Sequence, residues 1–286
     1  MAGVVAARTS NISCFCGLDL AKPKIMGVIN VTPDSFSDGG ETFFLEDAVS
    51  RGRSMLAAGA DILDIGGEST RPGALPVSVD EECGRVVPVI ASLSQEGAMV
   101  SIDSRRAQVM AEAFSAGAAI VNDVSALTED PDAIHLISQS GMSVVLSHMQ
   151  GDPLNMQNNP TYTVASEEIC EYLASRINIC EVSGIPRAKI AVDPGIGFGK
   201  TLEHNLEILA NIDTYHELNC ALVIGVSRKS LIGQLTNIKV PSDRMPGSIA
   251  AALAARARGV QIFRVHDVAE TRQAFEVWEA IEEIRI

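Results

Sequence analysis

Eight times along the chain a short apolar run closes on or beside a polar residue, and a loop and then an amphipathic stretch follow it. The runs cover residues 25–29, 61–65, 99–102, 119–121, 143–146, 189–192, 221–226 and 260–265. Each has the length of a strand, and most are rich in β-branched residues and bounded by turn residues. Amphipathic stretches lie between them, as at 45–58, 79–93, 105–116 and 164–182, and a last one spans 269–284. Strands that alternate with helices argue a parallel sheet. Eight such units, with no linker or break in composition, argue closure into a single (β/α)8 TIM barrel of the α/β class. An open doubly wound sheet is the alternative that pattern alone leaves standing. Apolar residues make up 47% of the chain and aromatics only 4%, so the core is expected to be aliphatic, as parallel strands require. Residues 1–20 read as an N-terminal extension and 21–286 as the barrel domain.

The polar residues sharpen this reading. Asn30, Asp103, Asn122, His148, Asp193, Ser227 and His266 follow the apolar part of their runs, and Asp64 lies within the second. Any one of them could be a helix N-cap, but eight of eight is more than capping explains. They should gather at the C-terminal ends of the strands, where barrel enzymes keep their chemistry.

Charge limits the partners. With 22 Lys and Arg against 36 Asp and Glu, the net charge is −14, which repels nucleic acid and anionic membranes. No apolar run approaches the ~18 residues of a membrane span. Small molecules are the expected partners, and an anionic one needs local cations. Arg228 and Lys229 after the seventh run, with Arg264 and His266 at the eighth, stand where barrels bind phosphate. Arg264 and His266 share a strand face and would offer two cationic donors to one anion. The six cysteines lack metal-site spacing and read as free thiols in a reducing cytoplasm.

The run from Asp193 to Thr201, DPGIGFGKT, resembles a phosphate loop only at first sight. Its spacing fits neither the Walker A nor the dinucleotide pattern. A glycine-rich turn that lets backbone approach a flat ligand fits better. Two long loops, 30–40 and 66–73, mix Gly, Pro and polar donors in the manner of active-site lids. Met149 after the fifth run is either core or a platform for a ligand. His135, His204 and His216 read as surface or capping residues.

The segments MGVINVTPDSFSDGG, DIGGESTRPGA, SIDS, NDVSAL, HMQGDP, DPGIGFGKT, GVSRKSLIG and FRVHDV occur together and in order. In this the chain resembles the dihydropteroate synthases over about residues 24–284, with Ile196 and Leu231 standing where that family often has Phe. The resemblance implies that 4-aminobenzoate attacks the exocyclic methylene of 6-hydroxymethyl-7,8-dihydropterin diphosphate and diphosphate leaves. It also implies Mg²⁺ on the diphosphate and a homodimer formed near the C-terminus.

On that reading Asp193 accepts the paired N–H donors of the pterin edge, and Asp103 and Asn122 complete the edge. Lys229 donates to the ring carbonyl, while Met149 and Phe198 line the ring. Thr70, Arg264 and His266 hold the diphosphate, and Asn30 reaches the metal. Lys229, Arg264 and Asp103 are the catalytic candidates. Phe36, Arg71, Pro72 and Ser230 are expected around 4-aminobenzoate. Two other readings remain: a methyltetrahydrofolate–corrinoid methyltransferase, which needs no diphosphate site, and a pterin-binding paralogue without activity, which should have lost part of these residues.

Overall fold

The structure of the protein is a computed structural model that describes residues 12–32, 41–69 and 75–284, with residues 41–44 described as backbone only. Phe36, Thr70, Arg71 and Pro72 lie outside the described residues. The described chain starts with a hairpin of β1 (Cys14–Phe15) and β2 (Leu18–Asp19), joined by Cys16 and Gly17, both at positive φ. Such a two-residue turn matches the twist of its strands.

Eight strands follow: β3 (Lys24–Asn30), β4 (Ile62–Gly66), β5 (Val100–Asp103), β6 (Ile120–Asp123), β7 (Ser143–Ser147), β8 (Ile190–Asp193), β9 (Ala221–Ile224) and β10 (Ile262–Val265). They pair in chain order, all parallel, and β10 returns to β3, so the sheet is a closed barrel. Closure excludes the open doubly wound sheet. Helices α1 (Glu41–Ala57), α2 (Val79–Gln95), α3 (Ala107–Ser115), α4 (Ala133–Ser140), α5 (Ala165–Val182), α6 (Leu202–Ala210), α7 (Ser230–Thr236), α8 (Met245–Arg256) and α9 (Val268–Glu282) lie between and after the strands. The last two strands are joined by both α7 and α8.

The two-residue period of the strands sorts the side chains into two cores. Leu63, Ile65, Val100, Ile102, Val121, Val144, Leu146, Val192 and Phe263 face outward into the layer shared with the helices. The alternate positions Met26, Ile62, Ile120, Val145, Ala191, Val223 and Ile262 face inward and form a separate cluster at the foot of the barrel. Phe15 and Leu20 complete that cluster, both almost wholly buried. Residues 14–20, read from sequence as extension, thus close the barrel floor. Two residues further along the same inward faces stand Asp64, Asn122, Asp193 and Arg264. The barrel is therefore apolar at its foot and polar at its mouth.

Candidate active site

The mouth is organised around Arg264, which rises from β10 between two carboxylates. Its Nε donates to Asp64 Oδ2 at 2.6 Å and its Nη2 to Asp103 Oδ2 at 2.6 Å. Asp64 is fully buried on β4, and the same Oδ2 accepts Asn122 Nδ2 at 3.1 Å. Burial raises the Asp103 carboxyl to about 7; Arg264 opposes the shift, and the carboxylates of Asp64, Asp123 and Glu82 add to it. Burial alone would lower the Arg264 guanidinium, but Asp64 and Asp103 outweigh it and hold the charge in place. The arrangement is one half-buried cation between two acids, the type of network that fixes geometry more than it stabilises.

Across the mouth stands Asp193, at the end of β8. Its Oδ1 accepts the Gly195 N–H at 2.7 Å. Its Oδ2 and the Arg264 side chain both border Gly225, within 4.0 Å of where a Cβ would stand. Burial raises the Asp193 carboxyl above the ordinary range, against the pull of Lys229. Burial lowers Lys229 to about 8, with Asp193 acting the other way. The Lys229 ammonium lies 4.2 Å over the Phe198 ring and also donates to the Ile196 carbonyl. The first contact is of the cation–π kind and the second is a hydrogen bond.

The glycine-rich turn, read from sequence as letting backbone approach a flat ligand, makes its close approach to the backbone of the chain itself. Gly195 has φ +71°, and a Cβ there would lie 1.9 Å from the His148 carbonyl oxygen. The turn therefore packs directly on the backbone after β7, which carries half-buried Met149. Lys200 ties the two together from below. Its ammonium reaches His148 Nδ1 at 2.9 Å, the His148 carbonyl at 3.2 Å and the Phe198 carbonyl at 2.9 Å, and the residue is only 3% exposed. Burial and the nearby Lys229 push Lys200 well below its usual range, and burial with Lys200 pushes His148 down to about 3.

Several expectations need correction. His266 is not a second cation: burial, then Arg264 and Arg228, lower its imidazole to about 3. It is held by Ser227, whose Oγ lies 3.0 Å from Nδ1 and also accepts the His266 N–H. Arg228 is not a free anion ligand, because its guanidinium forms a two-point ion pair with Asp267. That pair, with Ser248 Oγ accepting the Arg228 N–H, supports a non-glycine residue at φ +59°. Arg264 does not stand open to the mouth as a lone cation either, since Asp64 and Asp103 take two of its donors. His216 is buried rather than on the surface, with Nε2 2.8 Å from the Arg258 carbonyl. His204 does cap a helix, in a reciprocal pair with Thr201. Asn30 ends β3 half-buried, and Ser230 is exposed at the first residue of α7.

Sequence reasoning missed the network beneath the second loop. Glu68, 7% exposed at its side chain, pairs with Arg105 and Arg106, accepts the Val77 N–H at 3.1 Å, and Arg106 also pairs with buried Glu82. The pair Arg105-Arg106 just after a strand was the visible signal. Among the described residues no group of three His, Cys, Asp or Glu could hold a metal ion.

Comparison with known proteins now bears on this site. Residues 26–266 match the profile of the pterin-binding enzymes. The chain is 47% identical over 264 residues to the dihydropteroate synthase of Escherichia coli (strain K12), covering 92% of this chain and 93% of that one. Among solved structures it resembles the Xanthomonas albilineans dihydropteroate synthase with 4-aminobenzoic acid, at TM-score 0.88 and 44% identity over 93% of this chain and 96% of that one. The same organism's enzyme in complex with 7,8-dihydropteroate is similar at TM-score 0.85 and 41% identity, with 93% and 96% covered.

Proposed function

Because the chain belongs to the pterin-binding enzymes, and within them to the dihydropteroate synthases, we infer that it joins 6-hydroxymethyl-7,8-dihydropterin diphosphate to 4-aminobenzoate. The products are 7,8-dihydropteroate and diphosphate, in folate synthesis. The observation that carries the reading is the set formed by buried Asn122 and Asp193 with half-buried Asp103 and Lys229, beside Arg264 at the barrel mouth. Acceptors and one donor in that density suit the 2-aminopyrimidinone edge of a pterin. Neither a corrinoid methyltransferase nor an inactive paralogue accounts for it as well, since the diphosphate-side residues Arg264 and His266 are both kept.

Each residue then has a role that its surroundings support. Asp193 spends Oδ1 on Gly195, which leaves Oδ2 for the pterin N–H donors. Asn122 gives its NH₂ to Asp64 and keeps its carbonyl oxygen as an acceptor. Asp103 meets the same edge. Lys229 donates to the ring carbonyl, and Phe198 and Met149 flank the ring. Arg264, His266 as a neutral N–H donor, and Thr70 hold the diphosphate. The N-terminus of α7 with Ser230 takes the benzoate carboxylate, and Phe36, Arg71 and Pro72 border its ring.

Mg²⁺ fits as an ion that comes with the diphosphate. Asn30, half-buried at the end of β3, is the residue whose side-chain oxygen would hold the ion, and phosphate oxygens and water would supply its other ligands. Bound there, the ion would neutralise charge on the leaving group.

The C–O bond to diphosphate breaks and the amine nitrogen bonds to the methylene carbon; the amine proton leaves to solvent. An arylamine is neutral at pH 7, so no general base is obligatory. We propose that C–O cleavage leads, giving a cation stabilised by the electron-rich pterin. A flat response of rate to arylamine basicity is expected; a steep one refutes it.

A homodimer is supported by exposed Val277 and Ile281 on one face of α9, with Ile284 just beyond. Among the described residues no helix is long and apolar enough to cross a membrane, and we propose a cytoplasmic location. The decisive experiment supplies the purified protein with both substrates and Mg²⁺. Dihydropteroate should form with one diphosphate released per turnover, and a folate-requiring strain should be complemented. Absence of product refutes the reading.

A further inference from the structure

Asp64 is a residue of the mouth that the reaction as described does not use. It is fully buried, on β4, one inward step below the level of Asp103: Asp64 pairs with Ser101 in the sheet, whereas Asp103 pairs with Gly66 and Asn122. A single oxygen, Oδ2, receives both Arg264 Nε and Asn122 Nδ2. These donors arrive from β10 and β6, on either side of β4 in the closed barrel.

Two consequences follow from the bonding inventory. Asp64 Oδ2 already accepts the Arg264 Nε–H and can offer Asn122 only a further acceptor lone pair. Asn122 must therefore turn its NH₂ down to Asp64, and its carbonyl oxygen is directed to the other side. Nε is the guanidinium donor nearest the stem of Arg264, so a bond there fixes the plane of the head. The Nη groups are left as the donors that face upward, Nη2 to Asp103 in this arrangement. Arg264 can exchange Asp103 for an arriving phosphate oxygen without losing its hold below.

We propose that Asp64 is the positioning residue of the pterin diphosphate site, setting Arg264 and Asn122 at once through one carboxylate oxygen. The proposal rests on the functional reading above. It explains why a carboxylate stands at full burial beneath the site: with Asp64 absent, Arg264 would pivot about Asp103 alone and Asn122 would be free to flip.

The test uses two substitutions of contrasting chemistry. Asp64→Ala removes the shared acceptor. It should lower kcat/KM for the dihydropterin diphosphate on the order of 10- to 100-fold, the range for hydrogen bonds to a charged partner, with the KM for 4-aminobenzoate within about twofold. Asp64→Asn keeps an oxygen at the Oδ2 place and turns its NH₂ toward the place of Oδ1, which has no hydrogen-bond partner, as Ser101 Oγ on the paired residue of β5 has none. It should recover most of the loss. In an Arg264→Gln, Asn122→Ala background, Asp64→Ala should cost less than about threefold, because coupled residues are not additive. Full additivity, or parent-like kcat/KM in Asp64→Ala, overturns the proposal.

If Asp64→Ala does not fold, the unmutated protein still decides. The Arg264 Nε–H resonance, identified by its loss in Arg264→Lys, should stay protected from exchange when diphosphate and Mg²⁺ are added. An Nε–H that exchanges freely in that complex overturns the proposal. A parent protein without synthase activity would refute the functional reading instead, and leave these bonds to be judged by the resonance alone.

Discussion

Replacing Asp193 by Asn changes one atom and tests the core of the site. The structure dictates which way the new amide must face. The position of Oδ1 receives the Gly195 N–H at 2.7 Å, and that backbone cannot move away, because the turn lies against the His148 carbonyl. The amide oxygen must therefore occupy that place, and the NH₂ falls where Oδ2 stood, toward Gly225 and Arg264. A pterin N–H then meets a donor instead of a charged acceptor. One charge-assisted hydrogen bond is lost and a buried donor is left unmatched, which together cost ~2–4 kcal/mol. At about 1.4 kcal/mol per tenfold, pterin affinity should fall roughly 30- to 1000-fold. Fold stability should change much less: burial already penalises the Asp193 charge, and relief of that penalty offsets the lost attraction to Lys229. Isothermal calorimetry with the pterin alone measures the first quantity and a thermal melt the second. Unchanged pterin affinity in a folded variant would refute the placement of Asp193 on the pterin edge.

Other outcomes follow from the same geometry. The pH profile of kcat/KM should rise as Asp103 ionises near about 7 and fall as Lys229 loses its proton near about 8, since the ionised carboxylate accepts and the ammonium donates. Asp103→Asn should remove the acid limb; a limb that survives assigns it to another group. Gly195→Ala should destabilise by about 3 kcal/mol or more, because a side chain at φ +71° would drive into the His148 carbonyl; a melting temperature near the parent's would contradict that backbone path. Diphosphate with Mg²⁺ should tighten 4-aminobenzoate binding, with a coupling of ~1–3 kcal/mol typical of linked sites. Equal affinity with and without diphosphate would separate the two subsites. If Pro72 borders the 4-aminobenzoate ring as proposed, Pro72→Ser should weaken inhibition by a sulfonamide, which adds bulk to the same ring, more than it raises the KM for 4-aminobenzoate. Equal factors in Ki and KM would show no discrimination.

The barrel and the side on which its chemistry sits are written in local pattern. A two-residue period with apolar residues at Ile62, Ile120 and Ile262, followed on the same face by Asp64, Asn122 and Arg264, specifies an inward face that is dry below and polar above. Any parallel sheet built from those strands must expose its polar end at one edge of the barrel. Strand ends shifted by a residue or two, as where 221–226 was read and β9 stops at Ile224, without moving a residue to the other face.

What the pattern could not reveal is which polar groups meet. Arg264 finds Asp64 and Asp103 across 200 and 161 residues of sequence, and only closure of the ring brings β10 beside β3 and within three strands of β5. Protonation depends on those meetings. Two histidines at the mouth, His148 and His266, are both held near 3 by burial and neighbouring cations, while Asp103 is carried up to about 7 in the same enclosure. Lys200 read as the tail of a glycine motif and is a buried strut, and His216 read as a surface or capping residue and is buried against the Arg258 carbonyl. The residue types and their faces are local properties of the chain. Their charge states and partners are set by distances that exist only once the barrel has closed, because desolvation and Coulomb attraction act through space and not along sequence.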